Sequence, residues 1–86
     1  MDVRERARHG VTLLEEAVLD LLRARAGGLT NAAITRSLGL ESDQNGGQKD
    51  YLSYSLLGRL MSQGRVRKEE TTLSGTNKKA MLYWAA

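Results

Sequence analysis

The side chains most able to recognise a partner are basic ones near the C-terminal end of the chain. They crowd the last third of the sequence: Arg65, Arg67, Lys68, Lys78 and Lys79. The whole chain has 13 Lys and Arg against 10 Asp and Glu, a formal charge of +3, with a sequence pI near 9.6. A small basic excess decides little alone, but clustered positive charge attracts anionic partners. The C-terminal third is therefore our candidate binding region, while the acidic Glu41 and Asp43 lie in the middle of the chain.

No set of residues has the types and spacing of a catalytic or metal site. The chain has no cysteine, and its one histidine, His9, lies in a charged N-terminal segment. Asp43, Asn45 and Gly46 resemble the start of a calcium loop, but Tyr54 stands where that loop needs a glutamate. No paired nucleophile and base, phosphate loop or zinc motif is visible. We expect a protein that is not an enzyme and uses no cofactor or metal.

Chain length and composition predict one domain with a small core. A chain of 86 residues has room for a single core, and without cysteine no disulfide can reinforce it. Charged residues interrupt the apolar stretches well before the roughly 20 apolar residues of a membrane span. Residues 1–10 carry charges of both signs and lack the apolar run that a secretory signal contains. We expect a cytoplasmic protein that does not enter a membrane.

The first helix is predicted to begin at Thr12. Thr12 and Glu15 have the spacing of a capping box, in which each side chain satisfies a backbone amide of the other. Apolar residues then recur at three- and four-residue intervals through Leu22, and two glycines, Gly27 and Gly28, end the helix. Residues 1–11 are interpreted as a charged N-terminal segment, a candidate for disorder, and residues 12–86 as the folded domain.

Two further helices are predicted from their caps and periodicity. Thr30 is a good N-cap for a short helix over residues 31–38, and Gly39 ends it. Residues 41–47 form a polar loop that is rich in glycine. A third helix follows over residues 48–63 and ends at Gly64, with apolar residues on one side and polar and aromatic residues on the other.

The pattern changes from helical to extended after Gly64. Residues 65–69 and 80–84 are interpreted as two strands around a turn region over residues 71–77, which predicts an antiparallel hairpin. Trp84 is interpreted as a plug at the edge of the core. The predicted core consists of the residues that these periods bring to one side: Leu14, Val18, Leu21, Leu22, Ile34, Leu38, Leu52, Leu56, Leu60, Val66 and Leu82. The fold class is α+β, mostly α.

The order helix, short helix, long helix and hairpin resembles the winged helix-turn-helix family over residues 12–86. The passage from Leu56 and Leu60 through Gly64 into Val66 is similar to the family's step from recognition helix into wing. The resemblance implies that helix 48–63 enters the major groove of duplex DNA and that the wing, residues 65–84, contacts the backbone. It implies these nucleic-acid-binding residues: Gln48, Lys49, Tyr51, Ser55, Arg59, Arg67, Lys78 and Lys79.

The expected function is DNA binding, in transcriptional control or as the targeting module of a larger system. Arginine and glutamine can each make paired hydrogen bonds to a base edge, whereas lysines on a loop supply affinity without sequence information. A winged helix that docks another protein is the alternative, and RNA binding remains open.

A monomer is expected to dominate in solution. The segment before Thr12 is too polar for a strong zipper, and the chain lacks the long flanking helices by which many winged-helix repressors pair. If two copies do associate, the contact is expected in the N-terminal segment or the first helix.

Overall fold

A computed structural model describes residues 2–41, 51–72, 75 and 78–86. It contains three helices, α1 (Val3–Arg23), α2 (Asn31–Leu38) and α3 (Tyr51–Ser62), followed by two strands, β1 (Val66–Thr72) and β2 (Lys79–Ala85). The strands form an antiparallel hairpin. This architecture confirms the predicted α+β, mostly α fold with a C-terminal hairpin. No helix in the described ranges is long and apolar enough to cross a membrane.

Helix α1 begins at Val3, so the predicted start at Thr12 was wrong. The Asp2 carboxylate caps the helix by accepting a hydrogen bond from the Glu5 N–H at 2.8 Å. An aspartate at this position satisfies one of the donors that a helix leaves open at its N-terminus. Residues 3–11 are consequently helical, and the charged segment that we expected outside the domain forms the first turns of a 21-residue helix.

Helix α2 has the predicted bounds. The Thr30 hydroxyl accepts a hydrogen bond from the Ala33 N–H at 3.1 Å. Gly39 ends the helix in the left-handed conformation, with φ +67°. The Leu40 N–H then donates to the Thr35 carbonyl at 3.0 Å, which returns the chain towards the core.

Helix α3 passes into β1 through a tight turn at Gly64. The Gly64 N–H donates to the Met61 carbonyl at 3.0 Å, and the Arg65 N–H donates to the Leu60 carbonyl at 2.9 Å. Gly64 has φ +72°, a conformation that glycine adopts without a steric penalty. The predicted helix end is therefore confirmed. The predicted helical residues 48–50 and residues 42–47 of the predicted loop lie outside the described residues.

The hairpin is longer than predicted, and a third segment joins it. Strand β1 continues through Thr72, which pairs with Lys79, so the predicted turn began too early. Threonines favour extended backbone. On the other side of β2, Leu29 and Tyr83 form an antiparallel bridge with N–H to carbonyl distances of 2.9 and 2.8 Å. The segment between α1 and α2 is thereby fixed to the hairpin.

The core lies where the three helices meet the hairpin. Its buried hydrophobic residues are Val18, Leu19, Leu22, Ile34, Leu56, Leu57, Leu60, Val66 and Tyr83. The prediction of Leu52 as a core residue was wrong, because its side chain is 43% exposed on the flank of α3. Other predicted core residues are only half-buried: Leu14, Leu21, Leu38 and Leu82. Leu19, Leu57 and Tyr83 are the buried apolar residues that the prediction did not include.

Candidate functional site

The outer face of α3 is defined by four residues at helical spacing, Tyr51, Ser55, Gly58 and Ser62. These positions lie on the opposite side of the helix from the buried Ser53, Leu56, Leu57 and Leu60. Tyr51 is 70% exposed. The predicted contact residues Tyr51 and Ser55 are thus both on the surface and share one face.

Two large side chains flank this face near the start of α3. Leu52 lies on one side and Tyr54, 62% exposed, on the other. Tyr54 is near the buried Tyr83 of β2. Burial of Tyr83, with a smaller contribution from Tyr54, raises the pKa of the Tyr83 hydroxyl above its usual value of 10. The start of α3 thereby presents a patch of exposed aromatic and aliphatic surface beside the hairpin.

Arg59 is displaced from the centre of the outer face and points towards α1. Its Nη2 lies 3.6 Å from Oε1 of Glu15. The Glu15 side chain is only 7% exposed, whereas that of Arg59 is 58% exposed. Gln63 Nε2 donates a hydrogen bond to the second Glu15 oxygen at 3.0 Å. We call Glu15, Arg59 and Gln63 the Glu15 cluster.

The Glu15 cluster joins α1 to α3. A buried carboxylate is costly unless it is paired and hydrogen-bonded, and here each Glu15 oxygen has a partner, Arg59 of α3 or Gln63 just after it. Sequence reasoning missed this contact because Glu15 was interpreted as a capping residue, whereas it occupies the core face of α1 together with Val18 and Leu22. Arg59 therefore has a partner within the chain, Glu15, in addition to any partner that binds from outside.

A pair of buried hydroxyl groups joins α2 to α3. The Thr35 hydroxyl donates to the Asn31 carbonyl at 2.9 Å, and it also hydrogen-bonds the Ser53 hydroxyl. Both side chains are fully buried. Together with the buried leucines of α3, this contact orients the helix so that its outer face is exposed.

The hairpin carries the remaining predicted contact residues. Arg67 lies with its guanidinium carbon 5.8 Å from the centre of the Trp84 ring, and the two residues are directly paired across the strands. Stacking of this kind holds the arginine side chain in place while its edge stays exposed. Lys79 Nζ contacts Glu70 Oε1 at 3.3 Å, and Lys78 is exposed just before β2. The predicted contact residues Gln48 and Lys49 lie outside the described residues.

Positive charge is concentrated in α3 and the hairpin. Residues 51–86 contain six Lys and Arg against two Glu, whereas residues 1–50 contain seven against eight Asp and Glu. Helix α3 has no acidic residue. Within the described ranges no group of three His, Cys, Asp or Glu side chains is arranged to hold a metal ion. The net positive charge of the chain thus belongs to the part that carries the candidate site.

Comparison of this chain with protein-family models, with curated proteins and with solved structures gives no match.

Removing the Arg59 side chain should destabilise the fold. In Arg59→Ala the nearly buried Glu15 carboxylate keeps Gln63 but has no cationic partner. Because Arg59 itself is more than half exposed, we expect a moderate decrease of about 1–2 kcal/mol in the free energy of unfolding. Urea denaturation followed by circular dichroism measures this decrease. Arg59→Lys is the matched control and should be less destabilised, and an unchanged unfolding midpoint in Arg59→Ala would contradict the assignment.

Proposed function

We propose that this protein binds duplex nucleic acid, duplex DNA in particular, with the outer face of α3 in the major groove and the hairpin against the phosphate backbone. The observation that carries the proposal is the charge distribution. From Tyr51 onwards basic residues outnumber acidic ones by six to two, and the preceding 50 residues have a slight acidic excess. Phosphate contacts supply most of the non-specific affinity of DNA-binding proteins. A helix whose exposed face has no acidic group, followed by a basic hairpin, suits a polyanion.

The composition of the outer face supports the same proposal. Tyr51 and Ser55 have hydroxyl groups that can hydrogen-bond to phosphate or base edges, whereas the Ser62 hydroxyl donates to the Gly58 carbonyl at 3.1 Å. Gly58 lies in the middle of this face, and a Cβ added there would meet nothing within 4 Å. A glycine inside a helix costs about 1 kcal/mol relative to alanine. Packing within the chain does not require a glycine at position 58. Close approach of a nucleic-acid backbone to the helix would require one.

Docking of another protein is the second candidate function. Tyr51, Leu52 and Tyr54 are exposed by 70, 43 and 62% at the start of α3. Tyrosine is enriched at protein interfaces, where charged residues are depleted from the centre. The two functions differ in their salt dependence, since phosphate binding releases counterions and an interface centred on apolar side chains does not.

An acidic substitution on the outer face tests the proposal. In Ser55→Glu we expect the affinity for a labelled duplex to fall about tenfold or more at low salt, because a carboxylate would face phosphate. His9→Glu is the matched control, since it places the same new charge at an exposed position of α1 and should leave the affinity nearly unchanged. Fluorescence anisotropy measures both, and circular dichroism checks the fold. Equal affinities of the two variants would contradict the proposed placement of α3.

A further inference from the structure

Helix α1 has more apolar surface than the core uses. Its core face consists of Glu15, Val18, Leu19 and Leu22. A second apolar row alternates in steps of four and three residues, and we call it the α1 seam: Val3, Ala7, Gly10, Leu14, Ala17 and Leu21. Alternating steps of four and three are the spacing by which a helix pairs with another helix in a coiled coil. The seam continues for the full length of α1.

The two halves of the seam differ in exposure. Residues 2–9 are all exposed, and Val3 is 72% exposed. Leu14, Ala17 and Leu21 are half-buried against the rest of the chain. Leu13, which borders the seam at its centre, is 51% exposed. The first half of the seam thus extends beyond the packed part of α1, and the second half still offers apolar surface at its edge.

We propose that the α1 seam binds the α1 seam of a second copy of this chain in antiparallel orientation. In this arrangement Val3 packs on Leu21 of the second copy, Ala7 on Ala17, and Gly10 on Leu14. The exposed first half of each seam then covers the half-buried second half of the other. The Ala7–Ala17 and Gly10–Leu14 layers contain small residues, which let the helices approach closely near the centre of the seam. Leu13 of each copy lies beside the two-fold axis.

Charge complementarity favours the antiparallel orientation. Arg6 and Asp20 flank the same side of the seam, at equivalent heptad positions near its two ends. In an antiparallel pair Arg6 lies opposite Asp20 of the other copy, and the two-fold axis repeats the contact. Asp20 already contacts Arg23 of its own helix at 3.5 Å, and a carboxylate can accept from both. In a parallel pair Arg6 and Asp20 would lie near opposite ends of the two helices and could not contact each other.

The expectation of a monomer was based on the polarity of the segment before Thr12 and on the lack of long flanking helices. With α1 beginning at Val3, the residues of that segment supply half of the seam. The proposed dimer uses no residue of the α3 outer face or of the hairpin, so its test is independent of nucleic-acid binding.

Charge reversal tests the contact between Arg6 and Asp20. Sedimentation equilibrium of the wild-type chain should give a reversible monomer–dimer equilibrium. Arg6→Asp or Asp20→Arg should weaken dimerisation about tenfold, because each replaces two ion pairs by two repulsions. The double variant, which exchanges the two charges, should recover the wild-type affinity. Glu16→Arg is the matched control on an exposed position away from the seam. A wild-type chain that stays monomeric throughout the concentration series would overturn the proposal.

Cross-linking tests the orientation, and the absence of native cysteine makes it direct. In the Leu13→Cys variant a short bismaleimide should link the two chains of the dimer through position 13, because this position lies beside the two-fold axis. Val3→Cys should not, because the two copies of position 3 lie at opposite ends of the pair. Both substitutions are at exposed positions and should leave the circular dichroism spectrum unchanged. Equal cross-linking of both variants would show a parallel pair and overturn the antiparallel arrangement.

Discussion

Replacing Leu57 with alanine should lower the free energy of unfolding by about 2–5 kcal/mol, the usual range for emptying a packed leucine site. Leu57 is fully buried where α3 meets the rest of the core. The substitution removes apolar burial and leaves a cavity that a close-packed interior fills only in part. Urea denaturation of the wild type and the variant measures the difference as a shift in midpoint.

Leu52→Ala is the matched control for this prediction. It makes the same chemical change on the same helix, but the Leu52 side chain is 43% exposed. We expect a decrease of less than about 1 kcal/mol, since a side chain that already contacts solvent gives up little apolar burial when it is shortened. Equal decreases at positions 52 and 57 would show that the rotation of α3 is different from the one described here.

Replacing Gly28 with alanine should lower the free energy of unfolding by about 2–5 kcal/mol. Gly28 has φ +83°, and a Cβ there would lie 3.0 Å from Trp84 Cε3 and 3.2 Å from the Tyr83 carbonyl oxygen. The left-handed backbone costs a residue with a Cβ about 1–2 kcal/mol, and overpacking against the hairpin adds about 1–3 kcal/mol. The substitution acts beside the bridge between Leu29 and Tyr83, so it should also loosen the attachment of the segment between α1 and α2.

Gly39→Ala separates backbone strain from steric contact. Gly39 has φ +67°, but a Cβ there would meet nothing within 4 Å. This variant should be destabilised only by the backbone contribution, about 1–2 kcal/mol, and should unfold at a higher urea concentration than Gly28→Ala. The reverse order of the two midpoints would contradict the packing of Trp84 against Gly28.

The elements that could be predicted from the sequence are those with local signals. The hydroxyl of Thr30 and the left-handed Gly39 determine the ends of α2 through contacts within a few residues, and Gly64 does the same for the end of α3. The hairpin follows from the change in period after Gly64. Local caps and turns leave their residue types in the sequence, so these bounds were close to the observed ones.

The helix rotations depended on contacts that a single segment does not reveal. Ser53 is polar, so the apolar period placed Leu52 in the core, but the hydrogen bond to Thr35 of α2 allows Ser53 to be buried instead. In α1 the carboxylate of Glu15 lies on the core face because Arg59 and Gln63, at the end of α3, compensate it. The polar partners belong to another part of the chain in both cases, and no local pattern predicts them.

The candidate site was predicted only in part, because some of its side chains contact other parts of the chain. Tyr51 and Ser55 lie on the outer face of α3 as their spacing implies. Arg59 is one helical turn further along, and its contact with Glu15 turns it towards α1. In the hairpin, strand pairing explains why Arg67 meets Trp84, and this pairing can be deduced only once the register is known.

Salt-dependent binding to duplex DNA tests whether α3 and the hairpin form a nucleic-acid interface. Fluorescence anisotropy of a labelled duplex of arbitrary sequence should show affinity falling steeply as salt increases. In the double variant Lys78→Ala with Lys79→Ala, the slope of log affinity against log salt should decrease by about one unit for each phosphate that the lysines no longer neutralise. Arg23→Ala with Arg25→Ala removes the same charge outside the proposed interface and should leave the slope nearly at the wild-type value. Absence of salt-dependent binding by the wild type, or equal slopes for the two double variants, would contradict a nucleic-acid interface on α3 and the hairpin.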